Sequence, residues 1–337
     1  MKASDTVLAW LLVEEDPGVR YFALRDLLDA PLHDARLGEA RRATVHASPV
    51  REILTAQKEE GYWIEAGAGY YPKYRGTAWS VIFLGQFGAD GEDARVQRAG
   101  RYVLEHSPSA YGGFSAGGDP GGMIHCLQGN LCSSLLELGF ADDPRLQKAI
   151  DWLARSITGE GISPAEERQA EIRYRRSGNS GPGFCCSAND HLPCAWGAVP
   201  ALEALGKVPS PLRSASIAKA IQAGVEFLFS RDPATADYPM GYRDKPSRSW
   251  TQFGYPMGYV TDVLRNVEAL ASLGYANDPR LHKAADFILS KRDGEGRWKL
   301  EYSYAGKIWS DLGEKGAPNK WVTLRARRAL HRMGIEP

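Results

Sequence analysis

The sequence has no surplus of charge: 41 Lys and Arg stand against 41 Asp and Glu in 337 residues. A neutral chain offers no global attraction to nucleic acid or an acidic membrane surface, so neither is expected as a partner. No apolar run approaches the roughly 20 residues of a membrane span. The apolar part of the opening stretch, MKASDTVLAWLLVEEDPGVR, is too short for a secretory leader and is broken by Glu14, Glu15 and Asp16. A cytoplasmic location is the expectation. No G-x-x-x-x-G-K-S/T loop occurs, which leaves nucleotide hydrolysis without support. Cysteine is scarce and odd in number, which argues against a disulfide framework. Yet Cys126, Cys132, Cys185, Cys186 and Cys194 all fall within one stretch of 69 residues, and none follows.

What is present is repetition. Segments ending in Leu-Gly or Met-Gly recur at Leu84-Gly85, Leu138-Gly139, Leu205-Gly206, Leu273-Gly274 and Met333-Gly334, spaced by 54, 67, 68 and 60 residues. Glycine there is the expected helix stop, because it takes the left-handed conformation without Cβ strain. Second helices follow with clear start signals: DDPRLQKAIDWLARS and NDPRLHKAADFILSK both place Asp (Asp143, Asp278) before Pro (Pro144, Pro279). The Asp caps free N–H groups and the Pro suits the first helical turn. These second helices carry Arg and Lys between apolar residues, as an outer layer would. The first helices are richer in Ala, Gly and aromatics, as an inner layer would be. Long loops at 107–123, 159–192, 231–257 and 292–319 then fall on one rim, where inner helices begin. Residues 1–50 are expected as an N-terminal helical extension of HEAT-like character, and 51–337 as one continuous domain.

Two segments sharpen this pattern. QKEEGYW places Gln57, Gly61 and Trp63 in the order Q-x3-G-x-W, and RDGEGRW repeats the spacing at Arg292, Gly296 and Trp298, with Arg in place of Gln. This resembles the QW motif of the prenyltransferase and squalene oxidase repeat, and with the hairpins the resemblance covers roughly residues 50–335. It implies an all-α fold, an α/α toroid of the terpenoid cyclase-like superfamily, in which the motif stabilises the ring and takes no part in catalysis. Function is not carried by the fold. The D-x-D-D acid of triterpene cyclases is absent here, and the late-repeat cysteine of the protein prenyltransferase zinc site has no counterpart after Cys194.

In a ring of hairpins the starts of successive inner helices are neighbours, so Cys126 and Cys194 should meet on the rim, with Cys185 or Cys186 delivered by the loop between them. Cys126, Cys186 and Cys194 supply thiolate donors for a zinc ion. The same thiols, with His125, Asp190 and His191 beside them, equally suit acid–base work without metal, as in the similar toroid of linalool dehydratase-isomerase. Free cysteine also simply packs. His125 and His191 hold equivalent positions, where a histidine is a candidate general acid or base. Asp262, among aromatics at an inner-helix start, is the best single acid, its alternative being a helix cap. Trp79, Trp196, Trp250, Phe253, Tyr255, Tyr259 and Trp321 are candidates for a substrate-facing wall. Arg176, in a run with Arg168, Arg173 and Arg175, is a candidate for an anionic substrate group.

The combined expectation is a toroid enzyme of terpenoid cyclase or prenyltransferase type. Its substrate is small and hydrophobic, isoprenoid by the resemblance, and its chemistry is acid–base or zinc-assisted at the Cys/His/Asp cluster. The alternatives are a metal-free lyase or isomerase like linalool dehydratase-isomerase, and a non-catalytic toroid that captures a lipid or peptide.

Overall fold

A computed structural model describes residues 5–163, 175–176 and 179–336. In chain order the α-helices are α1 (Thr6–Leu11), α2 (Pro17–Asp26), α3 (Ala35–Ala43), α4 (Val50–Thr55), α5 (Thr77–Gln86), α6 (Ala94–His106) and α7 (His125–Glu137). They continue with α8 (Pro144–Thr158), α9 (Ala195–Lys207), α10 (Ala215–Phe229), α11 (Val263–Leu270), α12 (His282–Ser290) and α13 (Lys320–Arg332). Apart from a two-residue parallel pair, Ile162–Ser163 with Arg175–Arg176, the regular structure described is helical.

The chain is an α/α toroid. Inner helices pack in sequence, α5 on α7, α7 on α9, α9 on α11 and α11 on α13, while α6, α8, α10 and α12 form an outer layer. The ring closes through the N-terminal helices. α2 packs on α13 and α1 on both, and Phe87 at the end of α5 meets Trp321 of α13 with ring centroids 5.4 Å apart. Val19, Phe22 and Leu24 of the expected extension thus belong to the same core as the inner helices.

Local chemistry explains the elements. Helices α3, α6 and α8 and the turn leading into α12 begin with a repeated Asp-x-Arg device in which the Asp accepts the backbone N–H two residues on and pairs with that residue's guanidinium. It appears at Asp34-Arg36, Asp93-Arg95, Asp143-Arg145 and Asp278-Arg280. The glycine stops hold in part. Gly139, Gly274 and Gly334 take positive φ, but α5 runs through Gly85 and the left-handed residue is Gly88, while α9 ends at Val208 in extended conformation. The tightest inner contact is α7 against α9: a Cβ on Gly129 would lie 2.3 Å from the Pro200 carbonyl carbon, so only glycine fits.

The two tryptophan segments are structurally equivalent. Trp63 and Trp298 are fully buried. Their indole N–H groups donate to the carbonyls of Ile53 and Ile288, each at 2.7 Å. Their backbone N–H groups donate to the hydroxyls of Thr77 (3.0 Å) and Thr323 (2.9 Å) on the following inner helix. Each tryptophan therefore fastens a short outer helix to the inner helix that follows it.

The hollow of the ring is crossed by a strap of main chain, residues 254–259. Gln86 and Met257 exchange two hydrogen bonds of 2.7 Å, the Asn130 amide donates to the Gly258 carbonyl (3.0 Å), and Arg325 donates to the Gly254 carbonyl (2.7 Å). The Tyr255 hydroxyl also donates to the Gln86 carbonyl. The strap divides the hollow into a cavity of about 460 Å³ at the rim where inner helices start and one of about 360 Å³ at the other mouth.

Arg325 is the centre of this arrangement. Its side chain is 2% exposed, pairs with Asp262 at 3.0 Å and Glu268 at 2.9 Å, and supports the strap. Removing one member of such a group leaves the others buried without a partner charge. Arg325→Met is expected to lower unfolding free energy by about 3–5 kcal/mol, measured by urea denaturation. A loss below about 1 kcal/mol, the range of a surface ion pair, would show that the group does not hold the strap.

Candidate functional site

The rim cavity is lined by Cys126, Cys186 and Cys194, with Tyr70, Lys73, Ile124, Phe184 and Tyr259 around them. Cys126 is the second residue of α7 and Cys194 caps α9, so neighbouring helix starts bring them to one wall. Cys186 comes from the intervening loop, fixed by its own N–H bonding the Leu192 carbonyl (3.2 Å) and by Cys194 N–H bonding the Phe184 carbonyl (2.9 Å).

The thiols are electrostatically unequal. Cys186 is lowered from 9.0 to about 6, because the Cys194 thiol donates to it, the N–H groups of Ala188 and Asn189 point at it, and His191 adds positive potential. Cys194 moves well up because its proton is shared toward Cys186 and it is buried. Cys126 is pushed up to about 12 by burial, with the Cys186 charge adding to the rise. The two shifts have opposite directions, favouring the thiolate form at Cys186 and the thiol form at Cys194. Lys73 lies nearby, its ammonium 5.2 Å from the Tyr259 ring centroid and 5.8 Å from that of Tyr70.

Other expected residues are placed differently. His125 also lines the rim cavity, but its ring is bonded toward α8: Nε2 lies 2.9 Å from the Ser156 hydroxyl, and the ring sits near Trp152 and Phe184. The Ser156 hydroxyl donates to the Leu153 carbonyl (2.8 Å), so Nε2 carries the histidine proton, and buried Nδ1 has no partner among the described residues. Burial lowers His125 from 6.5 to about 4, which keeps it neutral. Asp190 and His191 are exposed, with left-handed φ of 53° and 57°; Asp190 does not line the cavity.

Asp262 is a helix cap, accepting the Arg265 N–H at 2.7 Å and paired with Arg325. Trp250 and Phe253 are core residues, and Trp79 is buried with its indole N–H on the Tyr70 carbonyl (2.9 Å). Trp196 is half-buried beside Tyr259. Tyr255 and Trp321 stack at 4.9 Å but face the opposite cavity. The Arg176 side chain, with Arg168 and Arg173, lies outside the described residues.

The zinc expectation meets an incomplete donor set. Among the described residues no three His, Cys, Asp or Glu side chains are arranged to hold a metal ion, and the imidazole that lines the cavity, His125, is engaged with Ser156. Nor does any described carboxylate line the rim cavity. Sequence reasoning missed Lys73 and Tyr70. Their signal was the stretch GYYPKYRG, which precedes α5 as the other rim loops precede their inner helices. Cys132 is wholly buried in the core, and burial raises its pKa, as packing alone requires.

His125 carries a pH signature. Its folded pKa lies below the unfolded one, so stability is full above pH 6.5 and falls as pH drops toward about 4. His125→Gln is expected to flatten the decline of the urea midpoint between pH 6.5 and 4.5. An unchanged slope would mean the ring takes a proton freely in the folded chain.

No family model matches the sequence, and no curated protein matches it. Among solved structures, similarity is found to a glycosyl hydrolase family 88 protein from Bacteroides vulgatus: 11% identity, TM-score 0.49, covering 98% of this chain and 99% of that one. The type II terpene cyclase MstE from Scytonema is similar at 15% identity and TM-score 0.30, covering 83% of this chain and 95% of that one. A variant of that cyclase in complex with geranylgeranyl dihydroxybenzoate gives 14% identity and TM-score 0.32, with 84% and 95% covered. Among the described residues no helix is long and apolar enough to cross a membrane.

Proposed function

We propose that the chain is a toroid enzyme whose active site is the rim cavity, moving protons on a small, mainly apolar substrate as a lyase or isomerase without a metal. The observation that carries this reading is the meeting of Cys186 and Cys194 on the wall of a ligand-sized cavity, where the surroundings favour the thiolate at Cys186 and the thiol at Cys194. Cys186 accepts a proton from an activated C–H position. Cys194 gives a proton to the departing or newly saturated atom, and the pair is restored by transfer along its hydrogen bond. One proton enters and one leaves, so the step balances. Lys73 and the phenols of Tyr70 and Tyr259 would receive a polar end of the substrate. Protonation of an alkene by a carboxylic acid, the terpenoid-cyclase route, has less support, since the described cavity wall offers no carboxyl group.

Two outcomes follow. Iodoacetamide labelling of the folded protein should titrate with a midpoint near 6 and disappear at pH 7 in Cys186→Ser, while Cys126→Ser labels at an unchanged rate. A midpoint near 9 would remove the resting thiolate. In a screen of small alkenols and enones in deuterated water, turnover should fall by about 10²–10⁴-fold in Cys186→Ser. Activity equal to wild type would end the assignment.

A further inference from the structure

The second cavity, at the mouth where the inner helices end, has a composition unlike the first. Six cationic side chains reach it, Arg25, Lys207, Arg265, Arg325, Arg328 and Arg332, against three carboxylates, Glu137, Glu203 and Glu268. The carboxylates are already engaged. Glu137 pairs with Arg25 (2.6 Å) and Lys207 (3.1 Å), Glu203 with Arg265 (2.5 Å), and Glu268 with Arg325 (2.9 Å) and Arg328 (2.6 Å). Asp26 and Asp262, behind the wall, complete the pairing of Arg328 and Arg325 at 3.0 Å each. Arg332 is left over. It is exposed at the mouth of the cavity and makes no hydrogen bond or ion pair among the described residues; Arg328 and Arg25 repel it, while Asp26 and Glu268 attract it without pairing.

Helix C-termini gather at this mouth, and their carbonyls attract cations. Those demands are met by other side chains, however. Arg41 donates to the Glu137 carbonyl (2.6 Å), Lys207 to that of Ser133 (3.1 Å), and Arg213 to that of Gly206 (2.9 Å). The excess charge at Arg332 is thus available to a ligand. The stacked Tyr255–Trp321 pair supplies a flat apolar wall to the same cavity, whose volume of about 360 Å³ admits a small organic molecule. One free guanidinium matches one carboxylate through two parallel N–H···O bonds, whereas a dianion would bring a second charge up against Glu137, Glu203 and Glu268.

We propose that this second cavity is a binding site for a small monocarboxylate with a planar apolar body, its carboxylate on Arg332 and its body against Trp321 and Tyr255. The site is independent of the thiol cavity, from which the 254–259 strap separates it.

Benzoate is the probe, titrated by isothermal calorimetry and by thermal shift into the full chain, with benzamide and inorganic phosphate as comparisons. Benzoate should bind and raise the melting temperature, benzamide and phosphate should bind at least about tenfold more weakly, and Arg332→Gln should lose at least about tenfold in benzoate affinity, each tenfold being the usual measure of one lost contact. Cys186→Ser should bind benzoate as wild type does, which separates this site from the proposed catalytic one. Arg332→Gln removes no internal bond and should fold, checked by its circular dichroism. Absence of benzoate binding to wild type, equal binding by the folded Arg332→Gln protein, or phosphate binding tighter than benzoate would each overturn the proposal.

Discussion

The Arg325 guanidinium, buried between Asp262, Glu268 and the Gly254 carbonyl, is the interaction on which the interior geometry depends. Asp262 caps α11, Glu268 lies on the same helix a turn and a half later, and Gly254 opens the strap. One side chain of α13 therefore fixes an inner helix, the entry of a loop and the floor between two cavities. Charges so deeply buried are tolerable only because each has a partner, and neighbouring groups extend the pairing outward through Arg328 and Asp26 to α2. The same chain of ion pairs ties the N-terminal helices into the ring.

On either side of that floor the chemistry diverges for reasons of helix polarity. Inner-helix starts present N–H groups to the rim, and beside them a short loop turn sets the Ala188 and Asn189 N–H groups against Cys186, which favours its thiolate. Inner-helix ends present carbonyls to the other mouth, where arginine and lysine collect. A toroid with parallel inner helices has two unlike faces by construction, and side chains of opposite character are distributed accordingly.

How much of this was legible in the sequence depends on the range of the interaction concerned. The Asp-Pro starts at Asp143 and Asp278 were readable because a cap involves residues two or three apart. The meeting of Cys126 and Cys194 was readable because the repeat puts both at the same register of successive inner helices. The bond of His125 to Ser156 was not readable from its place beside Cys126, because consecutive helical residues point about 100° apart and its partner lies on α8. Asp262 was open between acid and cap, and only its pairing with Arg325, 63 residues later, decides the matter. The strap could not be foreseen, since it exists through bonds from Gln86 and Asn130, 171 and 128 residues away.

The strap itself has one consequence for how the ends of the molecule relate. Tyr255 and Tyr259 lie four residues apart on it, the first turned to the arginine-lined chamber and the second to the thiols. One short peptide bridge thus lends an aromatic ring to the wall of each chamber.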